Sequence, residues 1–410
     1  MKITIIGGGP SGLYFAILMK KLDRSHEITI LERDGPDDTF GWGIVFSDQT
    51  FSYLQDNDPK SFNAINRACQ RWDNVDIVHK DQKVTIRGNK FSGISRLAFL
   101  NVLQKRCLNL GVDLQFNINV TNLNEIEPCD LLVGADGANS LVRRTFSAVL
   151  QPDVDLRKNK YIWLGTHQLF HGLTLIFRET EAGLFIAHAY KFNESASTFI
   201  VECSEATWRN ARFDWKSDPE TCEYLAEVFR NDLGGHSLLS NNFVRWLNFP
   251  LVRNKRWHTG NVVLLGDAVH TAHFSIGSGT KLALEDSIAL AKCFRAGANV
   301  ETTLAEFQRV RKPIVDEYQD AAYASLLLFE NAEVEMRLDP IPFAYKLMTR
   351  SKKIDYEKLK QRDPEFIAAH DQWRKENKGR KPEVRGRKSE VRGRKSEVRG
   401  RKSKVRSRKQ

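Results

Sequence analysis

The chain has 410 residues, 41% of them hydrophobic, and a formal net charge of +11. This length fits one large or two ordinary domains with a real core. A charge of that size suggests nucleic acid or an acidic membrane surface as a partner, but its distribution excludes this for the body of the chain. Residues 378–410 hold sixteen Lys and Arg against three Glu, so this tail carries +13 and residues 1–377 sit at −2. Six cysteines (69, 107, 129, 203, 222 and 293) show no CxxC and no paired spacing. Reduced, mostly buried thiols in a cytoplasmic protein are expected, with no metal site. No stretch approaches the ~20 apolar residues that span a bilayer. The apolar run Ile3 to Met19 is interrupted by "GGGPSG" and lacks a cleavage site.

The chain opens with "KITIIGGGPSGLYFAILMKKL". Residues 2–6 form the β-branched run of a buried strand. Gly7, Gly9 and Gly12 then fit G-x-G-x-x-G, and Leu13 to Leu22 reads as a helix. In this pattern the first glycine makes a tight turn, the second lets a pyrophosphate approach the backbone, and the third lets helix and strand pack closely. The helix N-terminus supplies free N–H groups and a favourable dipole. A second strand, "EITILER", ends at Glu32, 20 residues past Gly12 and placed to bind a ribose hydroxyl. The pattern specifies an ADP-containing dinucleotide without separating FAD from NAD(P).

Further along, "CDLLVGADGANSLVRR" (129–144) is another buried strand running into a turn at Asp136, with Ser140 able to cap a helix from Leu141. Four strand-like runs follow between 160 and 203: "KYIWLGT", "LTLIFRE", "GLFIAHAY" and "STFIVEC". Short polar and glycine-containing spacers separate them, which predicts an antiparallel meander. Trp163, His188 and Tyr190 fall on these strands, and His188 and Tyr190 share a face. Each is either a pocket residue or an ordinary sheet residue. A third strand-end motif, "GNVVLLGDAVH", stops at Asp267. An ionised Asp at the end of a buried strand is expensive unless something binds it. His270 and His273 flank this motif, and Gly277 and Gly279 precede a helix through "TKLALEDSIALAKCF".

These three strand ends, Gly-rich, GADG and GDA in that order, resemble the group A flavoprotein monooxygenases related to p-hydroxybenzoate hydroxylase. "PDDTFGWGIVFSD", "STFIVECSEATW" and "HFSIGSGTKLALED" are similar to the aryl-CoA hydroxylases of that family. "NKYIWLGTHQLF" and "FIAHAYKF" are similar to its branch acting on tryptophan-derived pigment precursors. The resemblance runs over about residues 1–370. It implies an α/β fold: a Rossmann-like FAD-binding domain with an inserted, mainly antiparallel substrate-binding sheet and a C-terminal helical region. The expected boundaries are 1–155 with 245–330 for FAD binding, 156–244 for the sheet, 331–377 for the helices and 378–410 for a disordered basic tail.

The resemblance also implies roles. Gly7, Gly9, Gly12 and Glu32 hold the ADP half of FAD, Asp136 lies near the pyrophosphate, Asp267 binds the ribityl chain, and Gly277 and Gly279 bring N–H groups to the flavin ring. Trp163, His188 and Tyr190 are the candidate wall for a small aromatic substrate. NADPH or NADH reduces FAD, O₂ forms a flavin C4a-hydroperoxide, and an electron-rich ring attacks it. Many relatives have Pro before the glycines and Asn after them, where this chain has Ser275 and Lys281. Two other activities use this scaffold, a flavin-dependent reductase and a halogenase, although the W-x-W-x-I-P stretch expected of the halogenase is absent. A non-catalytic flavoprotein is the remaining alternative. The tail repeats "EVRGRKS" three times with one Val per heptad, too little apolar surface to order it. It is either a polyanion-binding arm or a solvated extension.

Overall fold

The computed structural model describes residues 1–241 and 245–378, so the basic repeat lies outside the described residues. A six-stranded sheet runs in the order His258–Thr259, Val262–Leu264, Leu131–Gly134, Lys2–Ile6, Glu27–Leu31 and Asp113–Gln115. All its pairings are parallel except that of His258–Thr259. Near-continuous Ile, Leu and Val in the central strands suits a sheet covered on both faces. The first helix, Pro10–Leu22, begins three residues before the apolar run because Pro10 takes the first-turn position, where its missing N–H costs nothing. This helix is buried from Ser11 to Lys20 and packs in one core with the helices Arg96–Asn109 and Gly279–Arg295.

The second sheet runs Leu238–Leu239, Pro152–Thr166, Ser197–Cys203, Gly183–Lys191, Leu173–Thr180, Val75–His79, Gln82–Ile86, with Leu247–Asn254 also on Pro152–Thr166. It is mainly antiparallel, as expected, but differs from a simple meander. Pro152–Thr166 pairs with Ser197–Cys203 rather than with its successor, because Val75–His79 occupies the free edge of Leu173–Thr180 in parallel register. The sheet therefore draws strands from both sides of residues 156–244 and is not confined to that segment.

Alternation along its strands separates two faces. Ile162, Leu164, Ala187, Ala189, Phe199 and Val201 pack beneath the helix Asp218–Val228. Tyr161, Trp163, His188, Tyr190 and Ile200 point the other way, into a cavity whose far side is formed by residues 43–45, 271–272 and 274–280. The rest of that second face, including Leu175 and Phe177, is covered by Phe329 of the long helix Val300–Glu330 and by Phe343, Leu347 and Ile367 of the C-terminal helices. Among the described residues no helix is long and apolar enough to cross a membrane, and no group of three or more His, Cys, Asp or Glu is placed to hold a metal ion.

Candidate active site

Strand register brings the three motifs together. Ile6 pairs with Leu31 on one side and Gly134 on the other, and Gly134 pairs with Leu264. Gly7, Glu32, Asp136 and Asp267 therefore emerge along one edge, outside the carboxyl ends of parallel strands, where ligands bind in such sheets.

At the Gly-rich end of this edge, Gly7 has φ +107°, and a Cβ there would lie 2.3 Å from the Ala135 carbonyl oxygen. A Cβ on Gly12 would lie 2.2 Å from the Gly7 carbonyl oxygen, whereas one on Gly9 would meet nothing within 4 Å. Gly7 and Gly12 thus serve the chain's own packing, and Gly9 leaves open space at the N-terminus of Pro10–Leu22. Glu32 accepts hydrogen bonds from Gly8 N (2.6 Å) and Asp34 N (3.0 Å). One Asp136 oxygen accepts from Leu141 N (2.6 Å) and Val142 N (3.2 Å). Its other oxygen is buried without a partner. Ser140 caps the same helix through Arg143 N at 2.9 Å. Gly7, Gly9, Glu32 and Asp136 line a cavity of about 290 Å³; Gly12 does not reach it.

Phe40 and Arg96 line this cavity and also a second one of about 380 Å³, so the two meet there. The larger cavity gathers Asp267, Gly277, Gly279, Trp163, His188 and Tyr190. The Asp267 side chain opens onto it and has no hydrogen-bond partner among the described residues. Crowding by protein on its other sides pushes this carboxyl above its usual range, against the pull of His270 and Arg96. Gly277 is left-handed (φ +60°), and Gly279 begins the helix Gly279–Arg295 with nothing within 4 Å of a Cβ. That helix N-terminus presents free N–H groups to the cavity.

Behind Asp267, Asp286 accepts from Gly266 N (3.3 Å), His270 Nε2 (2.7 Å) and Arg311 Nε (2.8 Å). Arg143 donates to the Ala268 carbonyl at 2.9 Å, tying the GADG helix to the GDA turn. His270 therefore supports the turn and does not line the larger cavity. Nor does His273, whose Nδ1 bonds Ser275 Oγ at 2.8 Å and which burial pushes down to about 4. Lys281 donates to Tyr318 Oη (2.8 Å) and pairs with Glu285 (3.0 Å).

The opposite wall is a cross-strand row in which Trp163 pairs with Ile200, Ile200 with His188, and His188 with Leu175. Trp163 Nε1 donates to Thr198 Oγ1 at 2.5 Å, and Tyr190 Oη donates to the Gly43 carbonyl at 2.8 Å. His188 Nε2 bonds Glu202 at 3.1 Å, and Asn159 donates to the other Glu202 oxygen at 2.9 Å. Burial opposes the Glu202 charge, but the hydrogen bonds from His188 and Asn159 outweigh it and hold this carboxyl below its usual range. An ionised Glu202 accepts the Nε2–H of His188, so in the neutral ring Nδ1, which has no hydrogen-bond partner among the described residues, is the acceptor. Sequence reasoning missed Arg96, Tyr161, Phe249 and Arg350, which also line this cavity.

The family described as "FAD binding domain" matches residues 118–322. Salicyloyl-CoA 5-hydroxylase of a Streptomyces species is 38% identical over 384 residues, covering 91% of this chain and 74% of that protein. Protodeoxyviolaceinate monooxygenase of Chromobacterium violaceum is 35% identical over 364 residues, covering 86% and 95%. In fold, the tetrameric form of 2-methyl-3-hydroxypyridine-5-carboxylic acid oxygenase superposes with a TM-score of 0.67 at 19% identity, over 88% of this chain and 97% of that one. A glycine cradle, three acidic strand ends and an open helix N-terminus in one continuous groove fit a long dinucleotide, and together with these relatives they place the chain in the FAD-binding-domain family of flavin-dependent aromatic monooxygenases, with FAD as its cofactor.

Proposed function

We propose that this chain uses NAD(P)H and O₂ to hydroxylate an electron-rich aromatic substrate held between the flavin ring and the sheet wall. One observation carries the proposal: the dinucleotide groove opens directly into a cavity whose far wall is the row Trp163, Ile200 and His188. Bound FAD, reduced by NAD(P)H, supplies an electrophilic oxygen atom derived from O₂. The chain's own residues do the rest. Glu32 and the Gly9 turn would hold the ADP half, and Asp267 would accept hydrogen bonds from the ribityl hydroxyls. The N–H groups at the helix N-terminus from Gly279 would face the ring, whereas the Gly277 N–H is taken by the Phe274 carbonyl at 2.9 Å. The apolar wall excludes water and orients the substrate. His188 Nδ1 is free to take a proton from a ring hydroxyl or N–H, which raises electron density at the ring carbon that is attacked.

The favoured substrate is an aryl-CoA thioester with an electron-donating ortho group. The support is the 38% identity over 384 residues to an enzyme named for salicyloyl-CoA. A tryptophan-derived compound stands close behind, on the likeness to an enzyme named for protodeoxyviolaceinate. The test is NAD(P)H and O₂ consumption against a panel of both classes, with the product identified by mass under ¹⁸O₂. A product carrying one ¹⁸O atom is expected. Oxygen derived from water, or a reduced C=C bond without O₂ uptake, overturns the reading.

A further inference from the structure

Arg350 is a cation in the larger cavity that the hydroxylase reading leaves unused. It follows the helix Pro340–Thr349, and its side chain is held in place. Nε donates to Ser325 Oγ at 2.7 Å, Nη2 donates to the Ser275 carbonyl at 2.7 Å, and Nη1 donates to the Leu347 carbonyl. A guanidinium has five N–H donors, so two remain without an acceptor among the described residues. The guanidinium also lies 5.4 Å from the centre of the Phe329 ring. The His188 ring packs on that same Phe329 ring at 4.9 Å.

Most other buried arginines have an opposite charge beside them that Arg350 lacks. Arg106, Arg157, Arg178 and Arg311 each carry a carboxylate partner at 2.9 Å or closer, and Arg96 has the Asp267 carboxylate as a neighbouring opposite charge. Arg143 is held between the Ala268 and Ala138 carbonyls. Arg350 makes no ion pair among the described residues. Burial pulls it down to about 10, with no acidic group opposing the shift. A guanidinium stays protonated in proteins, and a buried charge without a counter-ion is costly. Something anionic in the cavity would relieve it.

We propose that Arg350 anchors an anionic oxygen group on the substrate ring, a carboxylate or an ionised hydroxyl. The inference rests on the reading of this cavity as the hydroxylation site and narrows it. A thioester substrate would then be accepted only with an ionisable ring hydroxyl, and an indolic one only with a carboxylate or hydroxyl.

The test needs no turnover. The FAD-loaded protein is titrated with 2-naphthoate, 2-naphthol and 2-naphthamide, and binding is followed by perturbation of the bound-flavin spectrum. Naphthoate or naphthol is expected to bind at least about tenfold more tightly than the amide, and the tighter of the two identifies the anion. R350Q is expected to erase that preference while retaining FAD, and R350K to keep part of it. Because R350Q also breaks the bonds to Ser325 and Ser275, the wild-type comparison stands as an independent arm. Binding of all three probes within about twofold overturns the proposal. So does an R350Q protein that keeps the preference or loses FAD instead. If the amide accelerates NAD(P)H oxidation as well as the acids do, the hydroxylase reading survives and the anchor falls. If the preference holds but no aromatic accelerates NAD(P)H oxidation, the anchor survives and the hydroxylase reading falls.

Discussion

At the nucleotide end of the groove a ligand would meet mostly backbone: the turn at Gly7 to Gly9, the N-terminus of Pro10–Leu22, and the strand ends carrying Glu32 and Asp136. At the substrate end it would meet side chains: Trp163, His188 and Tyr190 from the sheet, Phe249 from another strand, Arg350 from beyond a C-terminal helix. A backbone cradle tolerates few residue types because glycine geometry and helix dipoles are local, so a short motif specifies it. A side-chain wall is assembled from distant segments, and any residue of suitable shape can contribute. The two ends should therefore fail differently when altered.

The largest effect is expected inside the cradle. In Gly12→Ala the new Cβ meets the Gly7 carbonyl oxygen at 2.2 Å, and both atoms belong to tightly packed backbone. Apoprotein stability should fall by about 3 kcal/mol or more. Gly9→Ala meets nothing within 4 Å, so it should change apoprotein stability by under about 1 kcal/mol while weakening FAD binding by steric exclusion. Urea unfolding of the apoproteins and FAD titration separate the two. Equal loss of stability in both variants would dissolve the distinction between a glycine kept for packing and one kept for a ligand.

The turn joining the two ends gives a pH signature. His273 is buried, and its pKa is pushed down to about 4 from an unfolded value near 6.5. The unfolded chain then binds the proton more readily than the folded one. Stability should be fully present above pH ~6.5 and drain away as the pH falls toward 4, by up to roughly 3 kcal/mol. In His273→Gln that part of the slope should vanish when urea stability is measured at several pH values. A variant slope equal to the wild type would show that His273 is solvated and that the turn is not packed as described.

Asp267 sharpens the contrast between ligand-facing and chain-facing carboxylates. It has no hydrogen-bond partner of its own, so Asp267→Ala should leave the apoprotein as stable as before, or slightly more so. FAD binding should weaken by about 1.5–3 kcal/mol, the range for hydrogen bonds to a charged group. Glu32→Ala removes the acceptor for Gly8 N and Asp34 N. It should therefore loosen the loop as well, with a loss of FAD affinity in the same range, about 1.5–3 kcal/mol. Unchanged flavin affinity in Asp267→Ala would end the assignment of the ribityl site.

How much of this was legible beforehand follows the same division. The four inner strands of the six-stranded sheet could be read because three of them run into glycine motifs, at Gly7–Gly12, Gly134–Gly137 and Gly266–Asp267, and the fourth ends at Glu32. Trp163, His188 and Tyr190 could be nominated by strand alternation, but nothing local distinguished them from Tyr161, which lines the same cavity. The insertion of Val75–His79 into the second sheet was hidden, since parallel pairing across a long crossover leaves no short-range mark. Arg96 did leave one. It is the first residue of the helix Arg96–Asn109, where the helix dipole disfavours a cation, and a local rule broken in this way often marks a ligand site. Arg350 left none, because a cation just past the end of Pro340–Thr349 is what the dipole favours anyway.

The smallest effects are expected along the wall, where no single side chain carries the site. Tyr190→Phe removes only the hydrogen bond to the Gly43 carbonyl (2.8 Å) and keeps the ring stacked on Trp72 at 5.9 Å. Its effect should stay near 0.5–1.5 kcal/mol. Trp163→Ala should reach further, because the indole edge packs on Phe40 at 5.5 Å and Phe40 lines both cavities. Loss of the indole would let water and Phe40 move into the space where the substrate ring should be held. His188→Gln keeps a polar contact to Glu202 but loses the acceptor at Nδ1, so its defect should grow as the pH falls and the substrate proton becomes harder to remove. The readout is coupling, the hydroxylated product formed per NAD(P)H oxidised, because in the proposed reaction a badly held substrate would let activated oxygen escape as H₂O₂. The expected order of loss is Trp163→Ala, then His188→Gln, then Tyr190→Phe. With a confirmed substrate, wild-type coupling in all three would place the reacting ring away from this wall, nearer Phe249 and Arg350.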